Sequence, residues 1–214
     1  QFSFDFKFWK YLFISSLPFG LVLVFRFINF RIDTIMLTFM QSYTITGIYN
    51  AAYKIIDALI VIPAITVVAL FPTMSKLFKQ SENSLLAVFR KVFFYLFALA
   101  LPICVGIWLL ADKIILFVYK EQFFGSVIAL QILVWTLLFL FLNHLMGYLL
   151  NSINKQSLFT WVAVGAAIVN ISLNLVLIPI YSYKGSSVAT VITEFFSFAL
   201  LFYFSRKNKH ENKS

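Results

Sequence analysis

Apolar positions in this chain run together in long blocks, and the few polar positions inside them recur at helical spacing. Six blocks stand out, at 9–40, 47–77, 92–110, 127–150, 158–180 and 186–204. A helix needs about 20 apolar residues to cross a bilayer. The pattern therefore predicts an all-α integral membrane protein, its membrane part a six-helix lobe over 9–205. The first block is long enough to be tilted or bent, with Pro18 and Gly20 as the expected bend. Pro63 and Pro72 fall in the second block and Pro102 in the third. Pro179 is expected to stop the fifth, before a tight turn at 181–185. Between the third and fourth blocks, ADKIILFVYKEQFFGS is too charged to span. Its apolar face, Ile114, Ile115, Phe117 and Val118, predicts a short interfacial helix near 112–124. Residues 1–8 lack the features of a signal peptide and read as a juxtamembrane linker cut from a longer protein. Residues 206–214 read as a basic tail.

The polar positions carry the chemistry. Arg26, Asn29 and Asp33 are spaced i, i+3, i+7, and Asn50, Lys54 and Asp57 are spaced i, i+4, i+7, so each set shares one stripe of its helix. Tyr43 extends the second stripe, while Arg31 points away from the first. A charge at mid-membrane costs about 2.5–3.5 kcal/mol, which predicts that the two stripes face each other or a watery cavity. Two blander readings compete: each cation neutralises the carboxylate on its own helix, or Arg26 and Asp33 snorkel from a helix end. Asn143, Gly147 and Asn151 form a further stripe, flanked by His144 and Tyr148. Ser186, Thr190, Thr193, Glu194 and Ser197 fall within about 100° of helical arc. Asn170 and Asn174 read as helix–helix glue. His144 reads as a hydrogen-bonded bundle residue, because it has no second ligand at i+3 or i+4. Glu194 has no cation within a turn of its own helix. It pairs with Lys54 or an Arg of another helix, or it is neutralised by a proton.

Composition sharpens this picture. The 214 residues are 62% hydrophobic and 12% charged, against about 25% charged in soluble domains. A net charge of +9 would suggest nucleic acid in a soluble chain. Here loop charge explains it. If the first span starts inside, eleven basic residues lie inside (Lys7, Lys10, Lys76, Lys79, Arg90, Lys91, Lys155, Arg206, Lys207, Lys209 and Lys213) and three lie outside (Lys113, Lys120 and Lys184). That bias follows the positive-inside rule and predicts cytoplasmic ends and no nucleic-acid partner. The single cysteine, Cys104, allows no internal disulfide and reads as a small core residue. No GxxxxGK[ST], GxSxG or HExxH sequence occurs, so no enzyme, cofactor or metal site is expected.

LPFG at 17–20, RID at 31–33 followed by IML, GIYNAAYKI at 47–55, FPTMSKL at 71–77, the YKEQFFGS stretch, and the two asparagines before LIPIY with the following small-residue run all occur in this order. Together they resemble the C-terminal half of bacterial polysaccharide-biosynthesis flippases of the Wzx O-antigen type. These belong to the multidrug/oligosaccharidyl-lipid/polysaccharide exporter superfamily, and the likeness covers nearly the whole chain. Lys120 and Ser182 stand where the family often has glycine. The resemblance implies a multi-pass protein of the bacterial cytoplasmic membrane, with twelve or so helices in two lobes. Its N-terminal lobe would belong to the same polypeptide. The implied cargo is an undecaprenyl-diphosphate-linked oligosaccharide, flipped by alternating access for O-antigen, capsule or exopolysaccharide assembly, with membrane lipid and polysaccharide polymerase machinery as partners. Arg26, Arg31 and Lys54, with Asn29 and Asn50, would then hold the diphosphate and sugar. Asp33, Asp57 and Glu194 would serve as counter-ions or ion-coupling carboxylates. An ion-coupled multidrug or cation antiporter of the same superfamily and a non-transport membrane scaffold are the alternatives. A membrane acyl- or glycosyltransferase is disfavoured by the missing catalytic constellation.

Overall fold

A computed structural model describes residues 6–80, 82–153 and 155–211; for 14–30, 78, 79, 82, 83 and 206–211 it describes the backbone only. The described residues form seven α-helices: Phe6–Met40 (α1), Tyr43–Leu59 (α2), Val61–Gln80 (α3), Glu82–Tyr119 (α4), Ser126–Leu133 (α5), Thr136–Ser152 (α6) and Gln156–Glu211 (α7). A 3-10 turn, Glu121–Phe123, precedes α5, and no strand occurs among the described residues. Tyr43–Leu77, Ser84–Tyr119 and Gln156–Ser205 are each long and apolar enough to cross a membrane, and α5 with α6 makes a fourth such unit, bent by 41°.

Where helices break, side-chain chemistry gives the reason. The block at 47–77 is two helices, α2 and α3, meeting at Ile60. Pro63 has no N–H to give the Leu59 carbonyl, so the ladder lapses there and restarts with Pro63 in the first turn of α3. Ser42 caps α2, accepting from the Ile45 N–H at 3.3 Å. The block at 127–150 is likewise two helices, α5 and α6. At their junction the buried Cys104 thiol donates to the Val134 carbonyl at 3.2 Å, and a side chain inserted into the ladder is a standard cause of a bend.

Two sequence expectations need correction. The separate interfacial helix near 112–124 is absent: α4 continues through Asp112 and Lys113 to Tyr119 without interruption. The charges do not end the helix, and Phe117 beyond them is exposed. Nor does Pro179 stop the fifth block. Helical geometry persists through it, and only Ser182, at φ 54° and ψ −138°, departs. There α7 folds back, so that Gly165 on its first limb approaches the Phe196 ring on its second.

Lys120 (φ 62°, ψ −171°) and Ser182 are the positive-φ non-glycine residues among those described. This backbone region suits glycine almost alone, at a cost of about 1–3 kcal/mol for other residues. Lys120→Gly and Ser182→Gly should each raise the melting temperature of the purified protein by roughly 2–6 °C, after allowing for the extra freedom glycine gives the unfolded chain. A lower melting temperature in both would show that neither site is strained.

Packing centres on α6, which lies against α3, α4 and α7, while α1 lies against α7 and α2 against α5. The buried core includes Leu37, Tyr49, Ile56, Leu96, Ile115, Leu137, Phe141 and Leu145. At one end of the bundle, Gln41 Nε2 donates to the Ile178 carbonyl at 3.3 Å and Ser126 Oγ donates to the Ile48 carbonyl at 2.7 Å. These bonds tie the α1–α2 turn to the first limb of α7, and α5 to α2.

Candidate functional site

The short turn after Met40 makes α1 and α2 an antiparallel hairpin, and its register decides which polar groups meet. Thr38 Oγ1 lies 3.3 Å from Thr46 Oγ1, Thr34 Oγ1 donates to Asn50 Oδ1 at 2.9 Å, and Arg31 donates to Asp57 Oδ2 at 3.2 Å. The facing of two polar helices is therefore present, but the charge pairing differs from a self-neutralising stripe. Asp57 bonds Arg31 of the neighbouring helix instead of Lys54 on its own, and Lys54 is exposed, with no ion pair among the described residues. The Arg31 guanidinium also sits 5.9 Å from the centre of the Tyr53 ring, within cation–π range. Arg31 and Asp57 are only partly buried. Asn50 lies in the hairpin seam. The side chains of Arg26 and Asn29 fall outside the described residues.

Asp33 turns the other way, into the bundle. It is 2% exposed. Tyr49 Oη donates to Asp33 Oδ2 at 2.9 Å, Thr190 Oγ1 to the same oxygen at 2.8 Å, and Asn174 Nδ2 to Oδ1 at 2.7 Å. Asn174 also donates to Asn170 Oδ1 at 3.0 Å. Asp33 thus gathers neutral donors from α2 and from both limbs of α7, and no cation reaches it among the described residues. Asn170 and Asn174, read from sequence as glue, do join helices, and the group they join is this carboxylate. Their i, i+4 spacing was visible; that Asp33 lay opposite was not, because more than 130 positions intervene.

These residues border a cavity of about 320 Å³ between α1, α2, α3, α6 and α7. Asp33, Tyr53 and Asn170 line one side; Asn143, His144, Tyr148 and Asn151 line another; Thr193, Glu194 and Ser197 line a third. No lysine or arginine is among the described lining residues. Glu194, which might have met Lys54 or an arginine, is instead bonded by Asn143: Nδ2 donates to Oε2 at 2.8 Å and to the Glu194 carbonyl at 3.2 Å. His144 Nδ1 donates to the Leu140 carbonyl at 3.0 Å, as suits a bundle residue. Gly147 lets α7 come close: a Cβ there would stand 2.8 Å from the Phe159 ring. No group of three or more His, Cys, Asp or Glu residues suited to a metal ion occurs among the described residues.

The site is therefore a polar cavity among long apolar helices, with two carboxylates and neutral donors. A partly exposed basic edge, Arg31 and Lys54, lies beyond Tyr53. Such a cavity can hold hydroxyls, protons or cations, and the edge can meet an anion.

Residues 1–78 match the family described as polysaccharide biosynthesis protein. An uncharacterized membrane protein of Methanocaldococcus jannaschii is 25% identical over 178 residues, which is 82% of this chain and 35% of that protein. Among solved structures, the lipid II flippase MurJ in an inward closed conformation superposes with a TM-score of 0.84 at 18% identity, over 96% of this chain and 45% of that one. The chain thus spans less than half the length of either. Over its first 78 residues it matches the model of that family, and over nearly all its length its all-helical fold is similar to that of the lipid II flippase.

Proposed function

We propose that this chain is one lobe of a transporter that flips undecaprenyl-diphosphate-linked oligosaccharide repeat units across the bacterial cytoplasmic membrane by alternating access. The observation that carries the reading is the polar cavity among long apolar helices, enclosed by a flippase fold. An N-terminal lobe of the same polypeptide would cover the exposed face of Arg31 and Lys54. These residues, with Arg26, would hold the diphosphate: arginine as a bidentate fork, lysine as a point charge. Asn29 and Asn50 would assist at that edge. Asp33 and Glu194 would be ion-coupling carboxylates and Asp57 the counter-ion of Arg31, and loop charge would put both ends of the chain in the cytoplasm.

An ion-coupled cation antiporter is the second reading, and one observation favours it: the described cavity lining holds carboxylates and no cation. Complementation separates the two. A strain lacking its own flippase receives the full-length protein, and surface glycan and membrane level are measured. Lys54→Gln should lower glycan at least tenfold at unchanged membrane level, and Lys54→Arg should keep more activity than Lys54→Gln. The neutral pair Arg31→Gln with Asp57→Asn removes both ends of a half-exposed bridge, worth about 0–1 kcal/mol, so it should insert normally and still export poorly. Wild-type glycan from Lys54→Gln and from the neutral pair would defeat the diphosphate assignment and leave the antiporter.

A further inference from the structure

Asp33 spends its oxygens on three protein donors. Glu194, on the same cavity, does not. Asn143 Nδ2 reaches one of its oxygens and its carbonyl together, which fixes the orientation of the amide. Asn143 Oδ1 is thereby left without a donor, in a residue only 7% exposed. Thr193 Oγ1, in a residue 4% exposed, also has no partner. Both residues line the cavity beside Glu194. Buried polar atoms are ordinarily satisfied, and these three residues line a cavity with no cation among its described walls.

We propose that Asn143, Thr193 and Glu194 form a cation subsite distinct from Asp33, built for a small monopositive group, either an alkali ion or a primary ammonium. One carboxylate with two neutral oxygens matches a single charge. Divalent ions favour more carboxylates and more oxygen ligands, and an anion would meet acceptors only. Thr190, which bonds Asp33, and Glu194 are one turn apart on the second limb of α7, so the two carboxylates border one cavity without sharing a donor. The subsite rests on the transport reading for its role: it would take either a second coupling ion or the ammonium of an amino sugar in the cargo.

The test uses the purified full chain, titrated with sodium chloride, potassium chloride or glucosamine hydrochloride, with choline chloride holding ionic strength constant. Melting temperature is the readout. Asp33→Asn should keep a saturable rise with at least one of the three, and adding Glu194→Gln should abolish it. Thr193→Val should weaken the apparent affinity about tenfold. Should Asp33→Asn melt too early to titrate, wild type should show a saturating rise and Glu194→Gln none. A response to sodium or potassium assigns an ion, and a response to glucosamine alone assigns an ammonium. No rise in Asp33→Asn, an equal rise in the double variant, an equal rise in Glu194→Gln and wild type, or equal binding of neutral N-acetylglucosamine would overturn the proposal. Glycan export is measured apart from binding. Export without a cation response defeats the subsite alone, whereas a cation response without export defeats the transport reading and leaves the subsite standing.

Discussion

Asp33→Asn will leave the protein in the membrane at near-normal level and stop glycan export. Tyr49, Thr190 and Asn174 all donate to this carboxylate. Asparagine keeps its shape and one acceptor oxygen, and the two hydroxyls can rotate to bond elsewhere. The new amide N–H must face at least one existing donor, at a cost of about 1–3 kcal/mol, which a folded membrane bundle can absorb. Asp33→Leu is different. It strands three donors in the core and should cost several kcal/mol; cross-helix bonds in membranes are individually modest at about 0.6 kcal/mol, but buried donors without acceptors are not. Leucine should therefore lower both membrane level and melting temperature, and asparagine mainly export. Wild-type export from Asp33→Asn would make Asp33 a structural tie between α1, α2 and α7, with no part in coupling.

The second large effect is structural. Gly185 sits just past the fold in α7, where an added Cβ would overlap the carbonyl oxygen of Leu177 and stand 2.7 Å from its carbonyl carbon. Backbone cannot step aside as a side chain can. Gly185→Ala must push the two limbs apart, and overpacking of this kind costs about 1–3 kcal/mol or more, or roughly 5–10 °C of melting temperature at this size. Because Thr190 stands on the displaced limb, export should fall as well. Gly106 supplies the control: nothing lies within 4 Å of a Cβ there, and alanine favours a helix over glycine by about 1 kcal/mol. Gly106→Ala should hold or raise the melting temperature. Equal melting temperatures for Gly185→Ala and wild type would show that the fold in α7 tolerates a wider approach.

The sequence marks out helical stretches well, because lipid demands long apolar runs and leaves few ways to satisfy a backbone. Stripe spacing also singles out Asp33 and Asp57 as special. It does not reveal their partners. Arg31 and Asp57 meet because the Gln41–Ser42 turn sets the hairpin register, and no periodicity within one helix encodes that. Asn143 and Glu194 meet across 51 positions, and only the folded bundle supplies the contact. The misplaced end of α4 has another cause. Charge at Asp112 and Lys113 predicts a helix end, yet α4 carries both without breaking, since charge by itself removes no backbone hydrogen bond.

That unbroken helix also acts as a ruler. Between Lys91 and Asp112, α4 holds no charged side chain over residues 92–111, and twenty residues at 1.5 Å each make about 30 Å, the thickness of a bilayer's hydrocarbon core. A thicker or thinner membrane would drag one charged end inward or leave apolar surface wet, at a fraction of a kcal/mol per Å. Because α4 packs on α6, and α6 carries Asn143 and His144 on the cavity wall, fixing the depth of α4 fixes the height of the cavity between the two leaflets. The count of uncharged residues in α4, none of whose described residues lines the cavity, thus sets how deep that cavity lies from either surface.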